Sequence, residues 1–207
     1  METILRARRL LPGRLVIASH NPGKVNEIND LISSFGIEAV SAGDLGLPVP
    51  EETENSFAGN AAIKAAAASA ASGLPALADD SGIEVAALGG RPGVHTADWA
   101  ETPGGRDFAM AMERVRQEIE GTGSADRSAR FVCCLCLAWP DGRREVFSGA
   151  IDGALTFPPR GTMGFGFDPI FVPTGFDKTF AELDPATKHA ISHRADAFRK
   201  LVDACLA

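Results

Sequence analysis

A chain of 207 residues is long enough to bury about 70% of its unfolded surface, so a core can form without disulfides or a structural metal. Hydrophobic residues make up 45% and charged residues 23%, which excludes a disordered chain and fits a soluble globular one. Twenty Lys and Arg against 27 Asp and Glu leave a net charge of −7, which argues against a protein that coats nucleic acid but leaves room for a local basic pocket.

The N-terminus carries Arg6, Arg8, Arg9 and Arg14 but lacks the apolar core and cleavage site of a secretory signal. Residues 1–13 read as a frayed basic arm. No apolar stretch reaches the ~20 residues of a membrane helix, so no membrane partner is expected and the cytoplasm is the expected compartment. Leu15 to Ala18 form a short apolar run that reads as a buried strand. Beyond it, Val25, Ile28, Ile32 and Phe35 recur at helical spacing up to Gly36, and Ile37 to Val40 predict a second strand. This β-turn-α-β opening is the grammar of an α/β protein. Thr53 to Ser72, Ala-rich and closed by Gly73, predict a long helix. Pro75 to Asp79 predict a strand, and Asp80-Ser81-Gly82 a turn.

A helix marked by Phe108, Met112, Val115 and Ile119 is expected to stop at Gly121. Ala129–Trp139 and Arg144–Gly149 flank Pro140-Asp141-Gly142 as a hairpin. In that first arm Cys133 and Leu135 share one face, and Cys134 and Cys136 the other. With no second ligand pair at finger-like spacing, the cysteines read as small buried hydrophobes. A Gly-, Pro- and Phe-rich stretch from Phe157 to Pro173 precedes a helical C-terminus that starts at Asp184-Pro185. A mixed sheet is expected, in a single domain over residues 1–207 with room for two lobes.

Five constellations could carry chemistry, and each also has an ordinary reading. Ser19-His20-Asn21-Pro22-Gly23-Lys24 joins a strand to a helix N-terminus, where unpaired N–H groups can meet a phosphate, or where a turn is simply capped. Lys24 opposes the helix dipole there, a conflict that a shared anion would resolve. Asp79 and Asp80 end an apolar run; such hard oxygen ligands suit Mg²⁺, or belong to a solvated turn. Asn60 and Lys64, four apart beside Phe57 and preceded by Glu51 and Glu52, either meet an anion or let the lysine reach solvent. Gly164-Phe165-Gly166-Phe167-Asp168-Pro169 can offer a ring face to a planar ligand, or pack beneath its loop. Lys188 with Ser192-His193-Arg194 gathers cations near a predicted helix start capped by Ser192, where they suit an anion or a keto-rich base.

Together and in this order, VIASHNPGKVNEI, PEETENSFAGNAAIKA, ALADDSGIEVAALGGRPGVHTA, PRGTMGFGFDPIF and TFAELDPATKHAISHR resemble the inosine triphosphate pyrophosphatase (dITP/XTP pyrophosphatase) family from about residue 15 to the end. The resemblance implies an elongated α/β fold, a mixed central sheet flanked by helices with two lobes around a cleft, in a homodimer. It implies hydrolysis of ITP, dITP and XTP to the monophosphate and pyrophosphate. In that reading residues Ser19 to Lys24 hold the triphosphate with Lys64, Glu52 and Asp80 handle Mg²⁺, and Asp80 is the general base beside Asp79. Asn60 and Ser81 lie on the substrate; Phe165, Gly166, Phe167 and Asp168 frame the base, and Lys188, His193 and Arg194 read its 6-keto group.

The chain departs from the family pattern at Gly59, where Glu is common, and at His95-Thr96-Ala97-Asp98, where Tyr-Ser-Ala-Arg is usual. It departs again at Phe167, in place of Tyr or Trp, and at His189, in place of Asn. Loss of the carboxylate at 59 is expected to shift metal handling onto Glu52 and the two aspartates. A pyrophosphatase of modified pyrimidine nucleotides and a silent nucleotide-binding protein are the competing readings.

Overall fold

The computed structural model describes residues 7–206. Among them lie eight strands: β1 (Gly13–Ile17), β2 (Ile37–Ser41), β3 (Ala76–Val85), β4 (Glu101–Thr102), β5 (Gly105–Arg106), β6 (Ser128–Ala138), β7 (Arg144–Leu155) and β8 (Phe171–Pro173). Five α helices accompany them: α1 (Pro22–Ile32), α2 (Phe57–Ser72), α3 (Phe108–Thr122), α4 (Pro185–Ile191) and α5 (His193–Leu201). The protein is a mixed α/β structure whose six-stranded sheet has the order β2-β1-β3-β6-β7-β8; β4 and β5 form a separate antiparallel pair. The chain divides into two compact units, and β3, β6 and β7 each contribute residues to both.

One unit holds residues 7–80, 133–149 and 194–206. In it β1 pairs in parallel with β2 (Gly13↔Ile37 through Ile17↔Ser41) and, on its other edge, with β3 (Val16↔Ala76, Ile17↔Leu77). Parallel neighbours need long crossovers, and α1 and α2 supply them. Strand alternation sorts the side chains. Leu15 and Ile17 of β1, Leu77 of β3, and Leu135 and Leu137 of β6 join Ile28 and Ile32 of α1 and Phe198 and Leu201 of α5 in one apolar core. Val16, Ala76 and Ala78 alternate with them and are fully buried, as are Ala61 and Ala65 of α2. Small residues let that helix approach the sheet closely.

The other unit holds residues 81–132 and 150–193. Its core gathers Ile83 and Val85 of β3, Met112, Val115 and Ile119 of α3, Phe131 of β6 and Phe171 of β8, with Phe167 and Phe180. Strand β8 pairs antiparallel to β7 with Leu155 opposite Phe171, so the sheet is mixed, as expected.

Several boundaries differ from expectation for local reasons. Asp80-Ser81-Gly82 is not a turn but the middle of β3, which runs unbroken from Ala76 to Val85. Helix α2 starts at Phe57 and not at Thr53, because Ser56 is extended and caps it through the Gly59 N–H. Helix α3 runs through Gly121 and stops at Gly123, whose left-handed φ of 69° ends the turn. The C-terminal helix breaks at Ser192, which is extended between α4 and α5.

Residues 1–6 of the expected frayed arm lie outside the described residues. Beyond them the segment is pinned. The Leu10 N–H donates to Cys205 O at 2.8 Å, and the Arg8 guanidinium lies over the Trp139 ring and pairs with Asp141. Leu10 is buried, so an apolar anchor holds what its arginines alone would leave loose. No helix among the described residues is long and apolar enough to cross a membrane.

Candidate active site

Asp79 and Asp80 set the site because they are consecutive on a strand. Neighbouring side chains on a strand point to opposite faces, so the two carboxylates do not repel one another across a shared space. Each meets its own cations.

Asp79 faces the side covered by α1 and α5. Its Oδ1 lies 2.6 Å from Lys24 Nζ on α1, and its Oδ2 accepts from Arg194 Nε at 2.8 Å and from the Cys133 thiol at 3.1 Å. The Arg194 guanidinium also pairs with Glu27, three residues after Lys24 on α1. Burial alone would raise the Asp79 pKa, but the charges of Arg194 and Lys24 outweigh it and hold the carboxyl well below its ordinary range. Burial, then the Asp79 charge, pushes the Cys133 thiol well up, so it stays protonated and donates. Glu27 and Cys133 escaped the sequence reading. The three-residue spacing from Lys24 to Glu27 on one helix face was the available signal for the first. For Cys133 it was a shared face with Leu135, which pointed only to packing.

Asp80 faces the α2 side. Its Oδ1 accepts from Lys64 Nζ at 2.7 Å, and Glu52 Oε1 lies 3.2 Å from the same ammonium. Burial raises the Asp80 carboxyl to a pKa of about 6; Lys64 opposes the rise and Glu52 adds to it. Burial lowers the Lys64 pKa, yet Asp80 and Glu52 together carry it above its ordinary value. Asp80 Oδ2 is buried with no hydrogen-bond partner. Among the described residues no group of three or more His, Cys, Asp or Glu side chains is arranged to hold a metal. Glu52 and the orphaned Asp80 oxygen nevertheless suit Mg²⁺, which keeps several waters and takes phosphate oxygens in place of a full protein cage.

The Ser19–Lys24 turn is tightly organised. The Ser19 hydroxyl accepts from the Asn21 N–H at 3.1 Å, and Asn21 Oδ1 caps α1 by accepting from the N–H groups of Gly23 at 2.9 Å and Lys24 at 3.3 Å. His20 is exposed, with Nε2 3.2 Å from Leu47 O. The strand-turn-helix placement read from sequence is therefore present, and helix α1 opens at Pro22. Asn60 does not project outward. It is buried, and its Oδ1 accepts from the Glu54 N–H at 3.0 Å.

The second unit organises the residues expected at the base. Ser81 is half-buried on β3. Asp168 is buried; its Oδ2 accepts from the Phe165 N–H at 2.8 Å and from Lys188 Nζ at 2.7 Å. A side chain at Gly164 would run into that same oxygen, and its φ of 76° is left-handed, so glycine is required there. Gly166 is also left-handed, at 67°. Lys188 lies 4.8 Å over the half-buried Phe165 ring. His193 is stacked on Phe131 at 4.9 Å.

Two further expectations change. Phe167 offers no ring face to a ligand; it is 1% exposed and meets Phe108 edge-on in the core, which leaves Phe165 as the aromatic available for stacking. Arg194 does not present a free guanidinium to a base but is engaged by Asp79 and Glu27. At the departure positions, His95 and Asp98 pair with one another at the surface, 2.8 Å apart. The boundary between the two units falls between Asp80 and Ser81, and again between His193 and Arg194.

The sequence model of the Ham1 family matches residues 15–204. A dITP/XTP pyrophosphatase of Rhodospirillum centenum is 60% identical over 203 residues, covering 97% of this chain and 98% of its own. One of Agrobacterium fabrum is 54% identical over 211 residues, covering 96% and 99%. Among solved structures, a HAM1 protein from Coxiella burnetii is similar with a TM-score of 0.85 at 37% identity, over 94% of this chain and 98% of that one. A nucleoside-triphosphatase / dITP/XTP pyrophosphatase from Mycobacterium abscessus is similar with a TM-score of 0.72 at 39% identity, over 92% and 98%.

Proposed function

The chain belongs to the Ham1 family, and from that premise we infer that it is a nucleoside triphosphate pyrophosphatase. It hydrolyses deaminated purine nucleotides (ITP, dITP and XTP) to the monophosphate and pyrophosphate. The observation that carries this reading is Asp80, a carboxyl raised to a pKa of about 6 beside a half-buried lysine, with one oxygen left over. A base poised near neutral pH takes a proton from water most effectively.

Asp80 orients a water and accepts its proton as the oxygen attacks the α-phosphorus. The bond from the α-phosphorus to the bridging oxygen breaks, and pyrophosphate leaves with its electron pair. Little covalent chemistry is asked of the protein; positioning and charge stabilisation do most of the work. Lys24 and Lys64 hold cationic charge where the triphosphate is expected. Mg²⁺, held by Glu52 and Asp80, supplies further neutralisation of phosphate charge when bound. Phe165 stacks on the base, and Lys188 and His193 donate to its 6-keto oxygen. Adenine presents an amino donor there, and a donor facing donors is strongly disfavoured. Arg194 supports the site by holding Asp79.

The same reading takes Mg²⁺ as the metal, a homodimer as the working form and the cytoplasm as the compartment. The partner is a free nucleotide, not nucleic acid or membrane, and residues 1–207 act as one functional domain. Pyrophosphate release from ITP, XTP, GTP, ATP and UTP with Mg²⁺ tests the proposal. ITP and XTP are expected to lead, and Asp80→Asn to lose the release. Equal turnover of UTP and ITP would remove the purine reading.

A further inference from the structure

Glu52 reaches Lys64 from a segment with no regular structure, and what fixes that segment is visible in its neighbours. Asn60, on α2 one turn before Lys64, is 3% exposed and points its carboxamide oxygen back at the Glu54 N–H, 3.0 Å away. Ser56 caps the helix by accepting from the Gly59 N–H at 3.1 Å. Glu54 then lies directly over Gly59. A Cβ at position 59 would stand 2.6 Å from Glu54 Cβ and 2.7 Å from its Cγ, closer than carbon atoms approach. Helical geometry does not demand glycine there, and alanine would be favoured in a helix by about 1 kcal/mol. The bare backbone at 59 makes space for the segment to lie down.

We propose that Asn60 is a positioning residue for Glu52, and that Gly59 is its necessary companion. The carboxamide latches the 52–56 segment onto α2, which keeps the Glu52 carboxylate at Lys64, the ammonium that Asp80 also meets. This rests on the reading of Glu52 and Asp80 as the metal-handling acids. It assigns Asn60 no contact with the nucleotide, and it gives the glycine at 59 a structural reason in this chain. Residues that orient a metal ligand without touching the metal commonly change affinity by about tenfold or more when removed.

The test has two readouts besides turnover. Hydrogen exchange of the Glu54 amide, followed by NMR on the substrate-free protein, reports the latch. Protection is expected in the parent protein, in Asn60→Asp (which keeps the acceptor) and in Glu52→Gln, and its loss in Asn60→Ala. Mn²⁺ affinity, measured by electron paramagnetic resonance with α,β-methylene-ITP present, reports the consequence. Asn60→Ala and Gly59→Ala are expected to weaken it about tenfold, as Glu52→Gln does, and to add nothing in a double variant with Glu52→Gln. Asn60→Asp is expected to stay within about twofold of the parent protein.

Gly59→Ala keeps the proposal open to refutation should Asn60→Ala fold poorly. Unchanged Glu54 exchange in Asn60→Ala would overturn it. So would parental Mn²⁺ affinity in Asn60→Ala and Gly59→Ala, or effects that add to that of Glu52→Gln. A parent protein that releases no pyrophosphate from ITP or XTP, while the exchange and Mn²⁺ results hold, would sink the catalytic reading and leave the latch standing.

Discussion

Asp79 and Asp80 are chemically identical and adjacent, yet their surroundings shift their carboxyls in opposite directions. Asp80, desolvated and only partly compensated by Lys64, holds its proton up to about pH 6. Its base form is therefore lost as pH falls through that region. In the metal-free protein the Asp80 carboxyl is expected to titrate near 6 by NMR. Loading Mg²⁺ should move that titration to lower pH, because a cation favours the carboxylate, and the acid limb of kcat/KM for ITP should follow the metal-loaded value. Asp79 behaves in the reverse sense. Its folded pKa is depressed, so it contributes stability above its unfolded value of about 4, and that contribution is lost as pH falls through the lower folded value. Asp79→Asn leaves half-buried Lys24 facing a neutral carboxamide and buried Arg194 with Glu27 as its remaining acid, and is expected to cost about 3–5 kcal/mol in urea unfolding at pH 7. It should also flatten the acid limb of the stability curve.

At the scale of elements, two glycine stops and the periodic helix faces were legible in the sequence, whereas the stop expected at Gly121 came at Gly123. Gly36 and Gly73 follow their helical stretches as expected, and Ala61 and Ala65 of α2 are fully buried. Asp80-Ser81-Gly82 misled because those residues favour turns by local chemistry, while pairing within a sheet, which no short window shows, kept the strand going. Arg194 misled similarly. Its partners Asp79 and Glu27 lie 115 and 167 residues away, so only tertiary packing reveals that its charge is already engaged. Helix α2 makes a sharper prediction. Ala65 is fully buried next to Lys64, so Ala65→Leu overpacks the approach of helix to sheet. It is expected to lower stability by about 1–3 kcal/mol in urea unfolding. A displaced Lys64 should lower kcat for ITP as well.

For the whole molecule, the net charge of −7 says little about how an anionic substrate is received. In the first cluster Asp79 and Glu27 balance Lys24 and Arg194. In the second, Glu52 and Asp80 outweigh Lys64 by one negative charge when both are ionised. The lysines are thus already engaged before a triphosphate arrives. Binding of α,β-methylene-ITP, measured by calorimetry, is expected to weaken by at least about tenfold when Mg²⁺ is removed, because the added cation reverses the sign of the second cluster. Composition could not show this local balance, which is assembled from residues far apart in sequence.

The alternation along β3 also decides which aspartate meets Lys64 and takes the proposed role of base. Slipping the strand by one residue would hand Asp79 to Lys64 and Asp80 to Lys24, and a carboxylate would still meet an ammonium on each face. Charge alone cannot tell the two registers apart. Leu77 can: it belongs to the apolar core beneath α1 and α5, and a slip would drive it against the closely packed alanines of α2 while Ala78 left a void behind. The identity of the proposed catalytic carboxylate is thus enforced by a leucine three positions away that touches none of the proposed chemistry. A residue inserted or deleted just before Asp79 would exchange the two roles without changing a single charged side chain.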